Sequence, residues 1–181
     1  MPVDILEILY SCIDEIGREK IKIEITSDIA TSERYCQDII ARSKIKLGEE
    51  ADEENLGTLC EALLHFLLTV SLLPSERKVS VMGANLDIVI PSVKTLSSQP
   101  DKTLIIQIVK KSNECLNKIK QAETVQPFIR NVWIVSAHPL DIDRKNYQLS
   151  SGAVRYEKII SDIDRFLADK GVRGLKLLYG H

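Results

Sequence analysis

The sequence predicts an α/β fold in which helices flank a mixed central β-sheet. Two long stretches, residues 55–73 and 156–170, carry apolar residues at the spacing of amphipathic helices. Two short runs rich in Ile, Leu and Val, residues 86–92 and 103–110, are typical of buried strands. Three strands follow the first of these helices, and later strands alternate with helices. This order favours a sheet that combines an antiparallel meander with right-handed parallel crossovers.

The first 48 residues predict a mostly helical extension or lobe, and residues 49–181 predict the main α/β domain. Apolar side chains at helical spacing predict a helix over residues 4–17. Residues 21–25 alternate apolar and charged side chains, a pattern that predicts a short, half-buried strand. A Thr or Ser at the start of residues 31–43 would cap a second helix there.

The second half of the chain predicts the core elements, in the order α-β-β-β-α-β-α-β. They are a helix over residues 55–73, strands over 77–82, 86–92 and 103–110, a helix over 113–123, a strand over 131–137, a helix over 156–170 and a last strand over 174–179. Pro74 marks the end of the first of these helices, and Gly83 lies in the turn between the first two strands. We expect the strands of the hairpin to be antiparallel and the strands joined by the later crossovers to be parallel.

Composition limits the classes of protein to which the chain can belong. Apolar residues make up 44% of the 181 residues, which is enough for a folded core and argues against disorder. The net charge of −2 excludes a strongly basic nucleic-acid-binding protein but leaves local basic clusters open. The four cysteines form no C-x-x-C pair, so we expect buried free thiols in a reducing, cytoplasmic setting. The longest apolar stretch, residues 59–73, is too short and too polar for a membrane span.

Several polar side chains interrupt the apolar pattern of the predicted core, and four of them are candidate site residues; Glu61 shares a helical stripe with Thr58, His65 and Thr69, which would face either a cleft or solvent. Glu61 lies on the first core helix, and Asp87 lies near the start of the second core strand. Gln107 is the single polar residue inside the third core strand, and Lys110 ends that strand. A buried Gln needs hydrogen-bond partners, so we expect Gln107 to contact Asp87 or a water molecule in a cleft.

Residues 55–137 resemble the PD-(D/E)xK, or restriction-endonuclease-like, nuclease superfamily. The α-β-β-β-α-β order of elements and the position of Asp87 carry this resemblance. In that family the first helix bears a Glu, the hairpin ends in an Asp, and the next strand bears Glu-x-Lys. The resemblance therefore implies a restriction-endonuclease-like α/β core that follows the N-terminal, mostly helical extension.

The resemblance also implies a metal-dependent nuclease that cleaves the phosphodiesters of DNA or RNA. Glu61 and Asp87 would hold Mg²⁺ or Mn²⁺, because carboxylate oxygens are the ligands that such hard cations prefer. Asp87 would also belong to the catalytic group, together with Gln107 as a neutral ligand or an anchor for water. Lys110 would lie near the attacking nucleophile, while the metal ion polarises the phosphate.

The sequence departs from the family motif within the third core strand. Gln107 stands where the acid is expected, and Val109 stands where the Lys is expected. Lys110 lies three residues from Gln107, so a regular strand directs it to the opposite face unless a β-bulge brings it round. With Ile108 in the acid position, Lys110 is correctly spaced but the acid is missing. Either register loses one of the two groups.

Two functions from different classes therefore remain open. The first is a metal-dependent nuclease, with intact or impaired catalysis. The second is a non-catalytic module that keeps the nuclease fold, binds nucleic acid or another protein, and needs no metal ion. A homodimer formed through an exposed strand or helix would suit this second function. The motif defects give the two functions similar weight, so the sequence leaves the question of enzymatic activity undecided.

Two further segments invite functional interpretations that compete with simpler ones. His138 and two nearby Asp residues are suitable metal ligands, but they follow a predicted strand end together with a Pro, which favours a plain loop. Residues 26–43 weakly resemble a helix-turn-helix, in which Arg34, Arg42 and the following Lys44 would contact phosphates. Acidic residues within the same segment oppose the binding of DNA there.

Overall fold

The structure is a computed structural model that describes residues 2–149 and 154–172. Seven α-helices and five β-strands lie within these residues. They are the helices α1 (Ile5–Ile16), α2 (Arg18–Ser27), α3 (Thr31–Leu47), α4 (Glu53–Val70), α5 (Val93–Ser98), α6 (Cys115–Val125) and α7 (Ile159–Asp169), and the strands β1 (Glu76–Val81), β2 (Ala84–Ile90), β3 (Leu104–Val109), β4 (Val132–Ser136) and β5 (Lys145–Gln148). The last strand predicted from the sequence, over residues 174–179, lies outside the described residues.

The five described strands form one mixed sheet in the order β1-β2-β3-β4-β5. The β1–β2 and β2–β3 pairs are antiparallel, and the β3–β4 and β4–β5 pairs are parallel. The parallel β3–β4 pair needs a crossover connection, which α6 supplies. The mixed sheet flanked by helices that the sequence predicts is therefore confirmed.

Two apolar clusters cover the two faces of the sheet. On one face, Ile88, Ile106 and Ile108 pack with side chains of α1, α3, α4 and α7. On the other face, Ile105 and Val109 pack with side chains of α5 and α6. Alternation along β3 explains this division, because successive residues of a strand point to opposite faces. The N-terminal helices share the larger cluster with the sheet, and the domain boundary at residue 48 stays a prediction.

The strand predicted over residues 21–25 is wrong, because this segment belongs to α2. Ile21 and Ile25, four residues apart, are fully buried, whereas Ile23 between them is 63% exposed. An alternating sequence fits a helix when positions i and i+4 share its buried face. A short turn then separates α2 from α3, and α3 continues past its predicted end to Leu47.

Strand β5 is an element that the sequence pattern does not reveal. It places Tyr147 in the core, but its other residues are Lys145, Asn146 and Gln148. The two amides are nevertheless buried, because Asn146 Nδ2 donates to Ser136 Oγ at 2.8 Å and Gln148 Nε2 donates to Asn146 Oδ1 at 3.1 Å. Side-chain hydrogen bonds thus replace the apolar alternation on which a strand prediction depends.

All four cysteines are free and buried, as the sequence predicts. Burial raises the pKa of the Cys36, Cys60 and Cys115 thiols, so these three side chains stay protonated near neutral pH and pack as small apolar groups. No helix in the described part of the chain has both the length and the apolarity needed to span a bilayer.

Candidate functional site

Asp87 and Gln107 lie at the point where β2 and β3 move apart. The regular pairing of these strands ends at Ile88 and Ile106. Beyond that pair, the Asp87 N–H donates to Gln107 Oε1 at 2.8 Å, and the Ile108 N–H donates to Asp87 Oδ2 at 2.8 Å. Side-chain oxygens therefore accept the hydrogen bonds that backbone carbonyls accept elsewhere in the sheet.

Gln107 connects three elements through its carboxamide. Its Nε2 donates to the carbonyl oxygens of Asn85 at 3.2 Å and of Lys118 at 3.0 Å, so both amide N–H groups have acceptors. Gln107 is only 1% exposed. The contact with Asp87 that the sequence predicts is present, through the Asp87 backbone. These bonds hold β2, β3 and α6 together and leave Gln107 poorly placed to bind a metal ion.

The Asp87 carboxylate is buried and is held by cations from two further elements. Lys118 on α6 donates to Asp87 Oδ2 at 2.6 Å, and Lys78 Nζ on β1 lies 3.4 Å from Oδ1. Both carboxylate oxygens therefore accept at least one hydrogen bond from a charged donor. Charge-assisted hydrogen bonds are stronger than neutral ones, and they offset the cost of removing a carboxylate from water.

Glu61 on α4 is the second buried carboxylate of the site. Lys110 Nζ lies 2.6 Å from Glu61 Oε2, and Lys78 Nζ contacts Glu61 Oε1. Burial opposes the ionisation of Glu61, but the hydrogen bonds from Lys110 and Lys78 outweigh it and hold the pKa of this carboxyl below its ordinary value of 4.5. Glu61 is therefore an anion at neutral pH.

Lys78 bridges the two carboxylates from an unusual backbone conformation. It lies within β1, between the residues that pair with Leu86 and Ile88, and its φ is +49°. A left-handed conformation in a bulky residue costs about 1–3 kcal/mol. Leu86 and Ile88 are two residues apart on β2 and would normally point to the same face of the sheet. They belong to the apolar clusters on opposite faces, so the direction of the side chains is reversed at this point. The distortion directs the Lys78 ammonium towards the buried carboxylates.

Lys110 reaches the site from the face opposite to Gln107, as strand alternation predicts. Gln107 contacts α6 on one face, whereas Lys110 contacts Glu61 of α4 on the other. Gly57, one turn before Glu61, allows this approach, because a Cβ atom at Gly57 would lie 2.9 Å from Lys110 Cα. The acid that meets Lys110 thus comes from a helix and not from its own strand.

These five charged residues form a single group, which we call the lysine–carboxylate cluster. Its members are Glu61, Asp87, Lys78, Lys110 and Lys118. Three ammonium groups and two carboxylates leave the cluster with one net positive charge. Of the four site residues predicted from the sequence, three are members and the fourth, Gln107, adjoins the cluster.

Lys78 and Lys118 are the members that sequence reasoning misses. Val81 pairs with Ala84 across the turn of the β1–β2 hairpin, and this register places Lys78 opposite Asp87. The predicted turn at Gly83 therefore contains the signal that would have identified Lys78. No comparable signal exists for Lys118, because its approach to Asp87 depends on how α6 crosses the sheet.

The donor set of the cluster, as arranged here, does not fit a divalent metal ion. Each carboxylate oxygen of Glu61 and Asp87 already contacts an ammonium group. A divalent cation would have to displace at least one lysine from a cluster that is already positive. Within residues 2–149 and 154–172, no group of three or more His, Cys, Asp or Glu side chains is placed to hold a metal ion, and this includes the segment after His138.

The arginines of the weak helix-turn-helix resemblance have acidic partners within the N-terminal helices. Arg34 pairs with Glu24 at 2.7 Å. Arg42 pairs with Asp38 at 2.8 Å and with Glu15 at 3.3 Å. These ion pairs connect α3 with α1 and with α2, which favours a role in helix packing over contact with phosphates.

Comparison with solved structures identifies the fold as that of restriction endonucleases. The restriction endonuclease PspGI, in a complex with substrate DNA, matches with a TM-score of 0.63 and 15% identity over 92% of this chain and 94% of that chain. Metal-depleted Ecl18kI, in complex with uncleaved DNA, matches with a TM-score of 0.51 and 13% identity over 91% of this chain and 69% of that chain. No family model and no curated protein match the sequence. The likeness confirms the predicted restriction-endonuclease-like fold. At such low sequence identities it shows the fold and nothing more.

Gln107→Glu would introduce the acid that the family motif places here, in a side chain of almost the same shape. We expect a loss of about 3 kcal/mol in the free energy of unfolding, because a carboxylate cannot donate to the Asn85 and Lys118 carbonyls and would be buried next to Asp87. Urea denaturation measures the change. The exposed Gln99 offers a matched control, since Gln99→Glu should leave stability unchanged. Equal stabilities for the two variants would contradict the bonding described for Gln107.

Gly57→Ala tests the close approach of α4 to the end of β3. Alanine normally stabilises a helix relative to glycine by about 1 kcal/mol. Here the added Cβ would lie 2.9 Å from Lys110 Cα, so we expect a net loss of about 1–3 kcal/mol instead. Urea denaturation again provides the measurement, and Thr58→Ala on the same helix should be neutral or stabilising. A gain in stability from Gly57→Ala would show that the two elements lie further apart.

Proposed function

We propose that this restriction-endonuclease-fold protein binds duplex DNA at the lysine–carboxylate cluster and does not cleave it. The supporting observation is the charge of the cluster, in which three lysines meet two carboxylates. A carboxylate pair neutralised in this way no longer repels a phosphate, and the remaining positive charge attracts one.

The geometry of Lys110 and Lys118 supports contact with the DNA backbone. Each of these lysines contacts one carboxylate oxygen, at 2.6 Å, and an ammonium group has three N–H donors. Their side chains are 30% and 24% exposed, so the remaining donors have access to solvent and to a ligand. Backbone phosphates accept most of the hydrogen bonds in protein–DNA complexes, and lysine is a common donor.

The structural neighbours favour DNA over RNA as the partner. PspGI is described in a complex with substrate DNA and Ecl18kI in a complex with uncleaved DNA, and both share the fold of this chain. The net charge of −2 means that attraction to DNA must come from a local group of lysines and not from the protein as a whole. Binding should therefore weaken steeply as salt is added.

Hydrolysis of phosphodiesters with Mg²⁺ or Mn²⁺ is the second candidate function. The observation in its favour is that Glu61, Asp87 and Lys110 meet in one cluster, as the nuclease resemblance implies. Two observations oppose it. An ammonium group contacts every carboxylate oxygen of Glu61 and Asp87, and the side chain of Gln107 is hydrogen-bonded to backbone groups. Binding without cleavage is therefore the function that the geometry supports better.

Lysine substitutions test the proposed contact with DNA. We expect Lys110→Met and Lys118→Met each to weaken binding to a fluorescently labelled duplex, and to reduce the slope of log K against log [salt] by about 1, because each removes a phosphate contact. Fluorescence anisotropy at several salt concentrations provides the measurement. Lys94→Met is the matched control, since Lys94 is exposed on α5 and takes part in none of the ion pairs of the cluster. Circular dichroism confirms that each variant is folded.

The same proteins separate binding from hydrolysis. Wild-type protein and Asp87→Ala are incubated with supercoiled plasmid in the presence of Mg²⁺ or Mn²⁺, and the products are separated on a gel. We expect intact plasmid in both reactions. Cleavage by the wild type that Asp87→Ala abolishes would establish the second candidate instead. Binding at the cluster would be contradicted if both lysine variants kept the salt slope of the wild type. It would also be contradicted if Lys94→Met lost as much affinity for DNA as they do.

A further inference from the structure

The Lys78 ammonium lies between the two carboxylates that the nuclease resemblance would assign to a metal ion. It contacts Glu61 Oε1 and lies 3.4 Å from Asp87 Oδ1. Both carboxylates are nearly buried, with side chains 10% exposed, and two such anions repel each other unless a cation compensates them. A cation shared by the pair would contact oxygen atoms that Lys78 already contacts.

The backbone of β1 holds Lys78 in this place. Its φ of +49° is a left-handed conformation, which bulky residues rarely adopt within a strand. The neighbouring positions on β1 pair regularly with β2, so the distortion is confined to the position opposite Asp87. A flexible surface lysine would need no such adjustment. The strand is therefore shaped to present this ammonium to the carboxylates.

The three lysines of the cluster are not equivalent. Lys110 and Lys118 have side chains 30% and 24% exposed, and each lies 2.6 Å from one carboxylate oxygen. Lys78 is 55% exposed and is the member that touches both carboxylates. If a divalent cation joined the cluster without displacing a lysine, the net charge would rise from +1 to +3. Lys78 is thus the group whose removal would open the space between the two acids.

We propose that Lys78 is a built-in cation that takes the place of a divalent metal ion between Glu61 and Asp87. The native protein then binds no divalent ion at this pair, and loss of the Lys78 ammonium converts the pair into a divalent-cation site. This inference concerns the free protein and goes beyond the proposed contact with DNA. Its test contains no DNA, so it stands or fails separately from that proposal.

Titration of the free protein with Mn²⁺ by isothermal calorimetry tests this inference. We expect Lys78→Met to bind one Mn²⁺ in a saturable titration and the wild type to show no saturable binding, a difference in affinity of at least about tenfold, because one positive charge has left the space between the acids. Thermal unfolding provides a second readout, since an ion that binds the folded state raises the midpoint. Lys78→Gly is the companion variant, because glycine adopts a positive φ without strain and so protects the fold.

Two further variants serve as matched controls. Lys78→Arg keeps the charge and should resemble the wild type, with no saturable binding of Mn²⁺. Lys78→Met combined with Asp87→Asn should lose the binding that Lys78→Met alone gains. The inference is overturned if the wild type binds one Mn²⁺ that Asp87→Asn abolishes. It is also overturned if folded Lys78→Met and Lys78→Gly bind Mn²⁺ no more tightly than the wild type.

Discussion

Two carboxylates, Glu61 and Asp87, are buried side by side where β2 and β3 separate, and the rest of the site depends on how their charge is compensated. An anion removed from water is costly unless cations and hydrogen-bond donors surround it. Here the compensation comes from Lys78 on β1, Lys110 at the end of β3 and Lys118 on α6. The charge balance therefore requires α4, α6 and three strands to meet at one place, and it fixes how closely they approach.

Two local features are consequences of this requirement. Lys78 adopts a left-handed backbone conformation that directs its ammonium towards both acids, and Gly57 lets α4 come close to Lys110. Buried ion pairs often contribute little net stability, because desolvation offsets their attraction. The strained residue and the close approach are therefore hard to explain by stability alone. They accord with the proposed function, in which the cluster holds three ammonium groups in fixed positions beside bound DNA.

The sequence predicts the core of the fold because its apolar periodicity is strong from α4 to β4, and it predicts Glu61, Asp87, Gln107 and Lys110 because polar residues stand out against that core. Predictions fail where the pattern has two solutions, as in residues 21–25, whose alternation also fits α2. They fail as well where polar side chains are buried by hydrogen bonds, as in β5. Lys118 cannot be predicted from the sequence, because it is brought to Asp87 by the tertiary packing of α6 and not by any local pattern.

A crystal structure of the wild-type protein grown with MnCl₂, with anomalous diffraction recorded near the manganese absorption edge, tests the charge compensation most directly. We expect the Lys78 ammonium within hydrogen-bonding distance of both Glu61 and Asp87, and no anomalous peak between these carboxylates. A manganese ion bound between Glu61 and Asp87, with Lys78 turned towards solvent, would contradict the compensation by lysine and would favour a metal-dependent nuclease.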